Sequence, residues 1–285
     1  MATFTDAHGV HIHYESWRVE NPSAVIQFAH GVGDHIGRYG ALVEALNAAG
    51  YSVWADDHRG HGQTGYEQHG GDLTRIGRLG PGGLRATIAA VEQFTDVIRE
   101  TEGDDVPLVL IGHSWGSLMA QMIMNRAGAR YDAVVLTGTA FRTLRWMDRG
   151  DHLNRRHAHL GTTGAEWLSR DPAVVAAFAA DPYTTTTPLR KLFGVRDGLR
   201  LLGRPAPSPA IPAELPVLIV VGSDDTLGGE ESARRLAEAY VTRAGLVDVE
   251  VIVYEGARHE VFNETNRDEV HADLIAWLDA RFATD

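Results

Sequence analysis

The sequence predicts an α/β fold, a mostly parallel sheet flanked by helices and interrupted by one helical insertion. Three observations carry that prediction. Short apolar runs bounded by turn residues recur at 24–29, 51–55, 107–111, 133–136, 216–221 and 249–254, and such runs mark strands buried on both faces. Segments of helical periodicity lie between them, and strands alternating with helices imply parallel pairing through crossovers. The alternation stops once, from about Phe141 to Arg204, where helical pieces occur without a strand candidate.

Taken in order, the run at 24–29 is followed by a helical stretch over 41–49 that ends at Gly50, a suitable C-cap. After the run at 51–55, Leu84, Ile88, Val91, Phe94, Val97 and Ile98 recur every three to four residues and make one apolar stripe. The run at 107–111 leads into a helix over 117–124, and the run at 133–136 closes the first part of the sheet. Within the insertion, Asp171 and Pro172 form an N-cap and first-turn pair. Gly203, Pro205, Pro207, Pro209 and Pro212 mark the return to the sheet. The runs at 216–221 and 249–254 then alternate with helical stretches at 234–240 and 270–282. The expected organisation is a core of 1–140 and 205–285 with a helical cap of 141–204, and 285 residues suffice for one such core.

Composition narrows the function. Hydrophobic residues make up 44% and charged residues 22%, a balance that supports a large buried interior rather than disorder. The net charge of −12 opposes attraction to nucleic acid phosphates or an anionic membrane. No nucleic acid partner is expected, and contact with lipid surfaces should be transient and peripheral at most. The only lysine, Lys191, sits between Arg190 and Leu192, which excludes a G-K-[ST] phosphate loop and argues against Schiff-base chemistry. With no cysteine, thiol nucleophiles, disulfides and Cys-ligated zinc are absent. No Lys or Arg precedes Arg18, no apolar leader follows Met1 and no run reaches the roughly 20 residues of a membrane span, so a cytoplasmic location is expected. The segment 141–204 carries a net +5, leaving −17 on the remainder. This reads either as a solvated basic surface or as an entrance biased toward anionic amphiphiles.

The chemistry concentrates at strand ends. Gly112-His113-Ser114-Trp115-Gly116 follows the run at 107–111 and precedes a helix, the setting in which a G-x-S-x-G turn exposes a serine hydroxyl. A serine needs a base, and the base an orienting acid. Asp224 and Asp225 follow the run at 216–221, and His259 follows the run at 249–254, giving the chain order serine, acid, histidine at the strand edge where open parallel sheets build their sites. His30-Gly31-Val32-Gly33 follows the first run and is placed to supply an oxyanion donor at Val32, with Trp115 supplying the second. Gly31, Gly33 and Gly37 miss the dinucleotide fingerprint by one residue, and Asn263 breaks an H-E-x-x-H zinc pattern after His259. His11 and His13 share a strand face without a third metal ligand, and Asp57, Arg59 and His61 read as a salt-bridged turn. No metal and no cofactor is expected.

At these residues the chain resembles the α/β-hydrolases, and within them the monoacylglycerol lipase and lysophospholipase group, which is serine aminopeptidase S33-like. The matching segments are HGVGDHIGRY at 30–39, DHRGHGQT at 57–64, GHSWGS at 112–117, LSRDPAVVAAFAADP at 168–182, GSDD at 222–225 and YEGARHEVFNE at 254–264. The resemblance implies a triad of Ser114, Asp225 and His259, with Val32 and Trp115 at the oxyanion positions, and its Gly-Ser-x-Asp spacing favours Asp225 over Asp224. Trp115 and Ser117 stand where the group usually has Met and Gly, and Thr64 where it often has Ser. Bulk at Trp115 is expected to narrow the pocket.

Trp146, Met147, Trp167, Leu168 and Phe178 are candidates to line an acyl pocket, or to pack the cap onto the body. The resulting expectation is a serine ester hydrolase whose small-molecule substrate is a glycerol ester with one acyl chain, attacked through an acyl-enzyme. Alternatives are a lysophospholipase or broad carboxylesterase, amide, C–C or perhydrolysis chemistry on the same fold, and a ligand-binding module without turnover.

Overall fold

The computed structural model describes residues 2–148, 150 and 152–283; Arg149 and Asp151, inside the predicted insertion, lie outside the described residues together with Met1, Thr284 and Asp285. In chain order the strands are β1 (Ala2–Thr5), β2 (His11–Trp17), β3 (Ala24–Ala29), β4 (Tyr51–Asp56), β5 (Leu108–His113), β6 (Ala133–Thr137), β7 (Val217–Gly222) and β8 (Val249–Tyr254). They form one sheet of order β1-β2-β4-β3-β5-β6-β7-β8. β2 pairs antiparallel with β1 and with β4, and every other neighbouring pair is parallel. The six apolar runs therefore become β3 to β8. The first two strands escape that signal because they lie toward one edge, where β1 is largely exposed and an apolar run is not required.

The helices are α1 (Gly40–Ala48), α2 (Gly62–Gln68), α3 (Gly83–Glu102), α4 (Trp115–Ala127), α5 (Pro172–Ala180), α6 (Leu189–Arg200), α7 (Gly229–Ala239) and α8 (Arg267–Phe282). Because side chains alternate across a strand, Leu108 and Leu110 of β5 pack with α3, α4 and α7, while Val109 and Ile111 pack with α1 and α8. Two apolar cores thus sandwich the sheet, which is why the central strands carry so few polar residues. Gln27 in β3 is one exception, and its amide is satisfied: it donates to the Val91 carbonyl at 2.9 Å and accepts from Thr95 at 2.8 Å. That bond pair ties the centre of the sheet to α3 through buried groups.

Between β6 and β7 the described residues contain α5 and α6 and no strand. Asp171 caps α5 through the Ala173 N–H at 2.8 Å, with Pro172 in the first turn. α6 kinks at Gly194 and rests on the start of α3, where Asp197 accepts from the Leu84 N–H at 3.0 Å. Two arginines of this segment reach loops of the sheet, Arg156 to Asp224 at 2.7 Å and Arg170 to Glu264 at 2.9 Å. Part of its positive charge therefore serves as attachment to the acidic body. No helix among the described residues is long and apolar enough to cross a membrane.

The turn from β5 into α4 is the tightest point of the architecture. Ser114 has φ 54° and ψ −122°, a conformation that costs a non-glycine residue on the order of 1–3 kcal/mol. The turn closes because α4 presses on the sheet at Gly116, where a Cβ would stand 2.1 Å from the Ala29 carbonyl oxygen and 2.6 Å from that of His30. Both obstacles are backbone and cannot rotate away. Gly116→Ala should therefore lower unfolding free energy by about 1–3 kcal/mol, read from denaturant unfolding. A variant as stable as the parent would show that α4 is free to lift from β3.

Candidate active site

Three loops meet at the C-terminal edge of the parallel strands. The strained turn after β5 presents Ser114, which is 7% exposed, so its hydroxyl is reached only from a cavity. His259, in the loop after β8, brings Nε2 to 2.7 Å from Ser114 Oγ, and its Nδ1 lies 3.0 Å from Asp225 Oδ1 in the loop after β7. An ionised carboxylate only accepts, so Nδ1 carries the proton and Nε2 is left as the acceptor of the serine O–H. The same Asp225 oxygen also accepts from the Leu227 N–H at 2.8 Å, which fixes its rotamer. Gly222 lets the two loops close on each other, since a Cβ there would stand 2.1 Å from the Ala257 carbonyl oxygen. Asp224 turns away and pairs with Arg156.

The His259 loop is held from the side of the 154–170 segment. Buried Glu264 accepts from the N–H groups of Arg258, at 2.8 Å, and Arg170, at 3.0 Å, and from the Arg170 guanidinium. Burial alone would raise the Glu264 pKa, but these bonds and one from Thr265 prevail and hold it below the usual carboxylate range. The Glu260 N–H donates to the Leu168 carbonyl at 2.7 Å, and the Trp167 indole lies over the His259 ring at a centroid distance of 4.4 Å.

The loop after β3 crosses directly above the serine. A Cβ on Gly31 would approach Ser114 Cβ to 3.0 Å, and Val32 lines the cavity beside Ser114. Trp115 is the first residue of α4, so its N–H has no acceptor within the helix and points out of the helix start. This loop is clamped to the His259 loop by Arg38, which donates to both oxygens of Glu260, at 2.7 and 2.8 Å, and to Asp34 at 2.9 Å. Burial works against the Asp34 charge, but Arg38 and the Tyr39 hydroxyl outweigh it and keep its pKa below the ordinary value. Asp34 and Glu260 both reach the cavity wall. The Arg38–Glu260 clamp has no signature in the sequence, because a pair separated by 222 residues leaves no local pattern.

The cavity over Ser114 measures about 140 Å³ and is walled by Val32, Leu153, Trp167, Leu168 and Phe178 together with His259. Trp167, Leu168 and Phe178 therefore stand where an acyl pocket was expected, but Trp146 and Met147 do not. Trp146 lies outside, under the guanidinium groups of Arg145 and Arg235 at 4.7 and 5.9 Å, because its carbonyl is tied to Ser232 ahead of it on α7. Met147 is buried against a second, apolar cavity of about 270 Å³ between α4 and α6. The expected narrowing by Trp115 is likewise corrected. Its ring is 1% exposed and packs behind the turn against His61, His58 and Phe193 at 5.0 to 5.8 Å. The positive φ of Ser114 sends the serine outward and the next side chain into the body.

The remaining motif residues support this frame. Asp57 accepts from the Ile36 and Gln63 N–H groups at 3.0 and 2.7 Å, and Arg59 pairs with Asp6. His13 binds Glu67 at 2.6 Å and His11 faces Thr5. Among the described residues no three His, Cys, Asp or Glu side chains converge as metal ligands. His30 stacks on His58 at 4.1 Å beneath the Gly31 loop, and burial holds His30 and His113 well below the ordinary histidine value and His61 down to about 4.

Two outcomes follow from these environments. Asp225→Asn should lower kcat by on the order of 10³–10⁴, since an amide supports the wrong imidazole tautomer and cannot stabilise the cation; Asp224→Asn, which loses only a partly exposed ion pair, should stay within about threefold. Equal losses in the two variants would reassign the acid. The buried histidines make a separate statement about stability. Unfolded, they bind protons near 6.5, whereas His61 in the fold does so near 4, so the unfolded chain gains protons first as the pH falls. Stability present above about 6.5 should decline toward pH 4, in a window above that of the Glu264 and Asp34 carboxylates, and a flat denaturation midpoint across it would refute the neutral cluster.

The geometry agrees with comparisons to known proteins. The family model described as serine aminopeptidase, S33, matches residues 20–266. A monoacylglycerol lipase of Mycolicibacterium smegmatis is 31% identical across 97% of this chain and 95% of its own length. A monoglyceride lipase of Homo sapiens is 26% identical, covering 98% of this chain and 90% of that protein. Among solved structures, a thermostable carboxyl esterase from Bacillus coagulans in complex with glycerol superimposes with a TM-score of 0.80 at 24% identity, over 99% of this chain and 100% of that one. With a model match over most of its length and this sheet order, the chain belongs to the serine aminopeptidase S33 family of the α/β-hydrolase fold.

Proposed function

We propose that this protein is a serine ester hydrolase of the monoacylglycerol lipase type, cleaving a monoacylglycerol to fatty acid and glycerol. The observation that carries the reading is the continuous hydrogen-bonded line from Ser114 Oγ through His259 to Asp225, opening into a cavity bordered by Leu153, Trp167, Leu168 and Phe178. Ser114 Oγ attacks the acyl carbonyl carbon while His259 Nε2 takes its proton, and the carbonyl oxygen gathers negative charge against the N–H groups of Val32 and Trp115. Collapse breaks the ester C–O bond, and His259 returns the proton to the departing glycerol oxygen. Water then repeats the sequence on the acyl-enzyme and releases the acid. Asp225 keeps the imidazole oriented and stabilises its cation throughout.

Residues 141–204 act in this reading as a lid over one acyl chain. Trp167, Leu168 and Phe178 flank the first carbons. Leu189 lines both the cavity over Ser114 and the larger apolar cavity that holds Met147, so a longer tail continues past Leu189 into the second space. The names of the curated relatives support a monoacylglycerol over a di- or triester, and so does a single narrow cavity at the serine. A protein of this kind works without a metal or cofactor, from a cytoplasmic position, on lipid monomers or at transient contacts with lipid surfaces.

The test is a rate panel on one preparation. Each buried methylene contributes roughly 0.8 kcal/mol, so monoacylglycerols of medium or longer chain should exceed butyryl and acetyl esters in kcat/KM, with triacylglycerols poor. A fluorophosphonate should label Ser114 alone, and Ser114→Ala should remove both labelling and nearly all turnover. Acetyl esters cleaved as well as decanoyl monoglycerides, or amides cleaved faster than esters, would sink the lipase reading with the triad intact.

A further inference from the structure

Arg142 is buried at 3% exposure at the root of the 141–204 segment, and no carboxylate among the described residues pairs with it. Burial pulls its pKa below the ordinary arginine value with only the Tyr240 hydroxyl in opposition. A lone buried cation is expensive unless its hydrogen bonds do something for the fold. Its Nε donates to Gln121 Oε1 at 3.1 Å, and its Nη1 donates to the Leu201 carbonyl at 2.9 Å. Its own carbonyl accepts from the Gly203 N–H at 2.7 Å, and the guanidinium lies flat on Gly203, where a Cβ would stand 2.9 Å from Nη2. Arg142 thereby joins the chain entering the segment, the chain leaving it, and α4.

From Gln121 the bonds continue inward. Gln121 Nε2 donates to Thr139 Oγ1 and to the Ala140 carbonyl, both at 3.0 Å, so its amide orientation is fixed. Thr139 Oγ1 lies 2.8 Å from Ser117 Oγ, and Ser117 Oγ lies 2.6 Å from the Ser114 carbonyl. Proton counting sets the direction of each bond. The Ser114 carbonyl can only accept, so the single Ser117 proton goes to it; Thr139 must then donate to Ser117, and Gln121 to Thr139. Every bond donates the same way, from a permanent cation to the carbonyl of the strained residue, through Ser117, Gln121 and Thr139, none more than 1% exposed. Bonds aligned in this sense polarise one another.

We propose that Arg142 is a positioning residue that, through Gln121, Thr139 and Ser117, holds the Ser114 backbone in its attacking conformation and couples both roots of the 141–204 segment to it. The Ser114 carbonyl takes two bonds, from Ser117 Oγ and from the Leu118 N–H at 3.1 Å, and these offset the strain of a positive φ. The Ser117 hydroxyl is thus more than a filler beside the serine. Loosening the relay leaves the cavity walls and the His259–Asp225 pair untouched but lets Ser114 relax from attack geometry. The inference rests on Ser114 as nucleophile.

A double-mutant cycle tests it, using Ser117→Ala, Arg142→Met and the pair, with p-nitrophenyl acetate as a substrate too short to depend on the acyl cavities. Gln121→Leu breaks the middle of the relay and replaces Arg142→Met if that variant does not fold. Expected are three- to tenfold losses in kcat with KM within twofold for each single variant, a double variant no slower than the worse single one, and partial recovery in Arg142→Lys. Rate losses that multiply in the double variant, or an unchanged kcat in Ser117→Ala, overturn the relay. Fluorophosphonate labelling separates the two assignments: a label away from Ser114 overturns the nucleophile, whereas a label on Ser114 with independent effects overturns the relay alone.

Discussion

The backbone of one residue governs the arrangement of the rest. Ser114 occupies a conformation that L-residues avoid, and the sheet compels it, because β5 must end and α4 must begin within a single residue while α4 lies flat against β3. Close contact at Gly116 supplies the compression. Bonds to the Ser114 carbonyl hold the result from the helix side, and the Ser114 N–H, which donates to the Thr137 carbonyl at 2.9 Å, holds it from β6. With the serine thrown out of the sheet and the Trp115 side chain thrown in, the hydroxyl and the first amide of α4 face the same small volume.

Around that volume the protein uses charge where a loop must be held and apolar surface where a ligand must fit. The Arg38–Glu260 and Arg170–Glu264 pairs each join loops distant in sequence, and each has a carboxylate that is 3% exposed or less. Removing one partner from such a pair leaves a buried charge without compensation, which is more costly than never burying the pair. These links therefore define which loop faces which more than they add stability. The cavity walls between them combine Leu153, Trp167, Leu168 and Phe178 with polar groups that include Asp34 and Glu260, so some residues that hold the loops also border the ligand space.

The segment between β6 and β7 is basic and the remainder acidic, yet its arginines do not act as a uniform field. Arg156 and Arg170 grip the Asp224 and His259 loops, Arg258 of the His259 loop reaches back to the Glu166 and Ser169 carbonyls, and Arg142 is sealed inside. Of the arginines on α6, Arg190 lines the second apolar cavity, whereas Arg196 and Arg200 face α3. The second cavity shares Leu189 with the 140 Å³ space at the serine.

Much of this was legible in the sequence. Strands buried on both faces must be apolar along their length, so β3 to β8 announce themselves, and the G-x-S-x-G turn, the paired aspartates and His259 each follow such a run directly. Motifs of that kind are local: their spacing is set by one turn, and one turn is written in a few adjacent residues. β1 and β2 were harder to see because an exposed edge relaxes the demand for apolar residues. What only the tertiary structure decided is every relation between distant segments: that Trp115 and Trp146 point away from the cavity while Trp167 lies over the histidine, that Arg38 finds Glu260 and Arg142 finds Gln121. The direction of a side chain at the mouth of a sheet depends on which loops close over it, and that is fixed by contacts across hundreds of residues, where no periodicity operates.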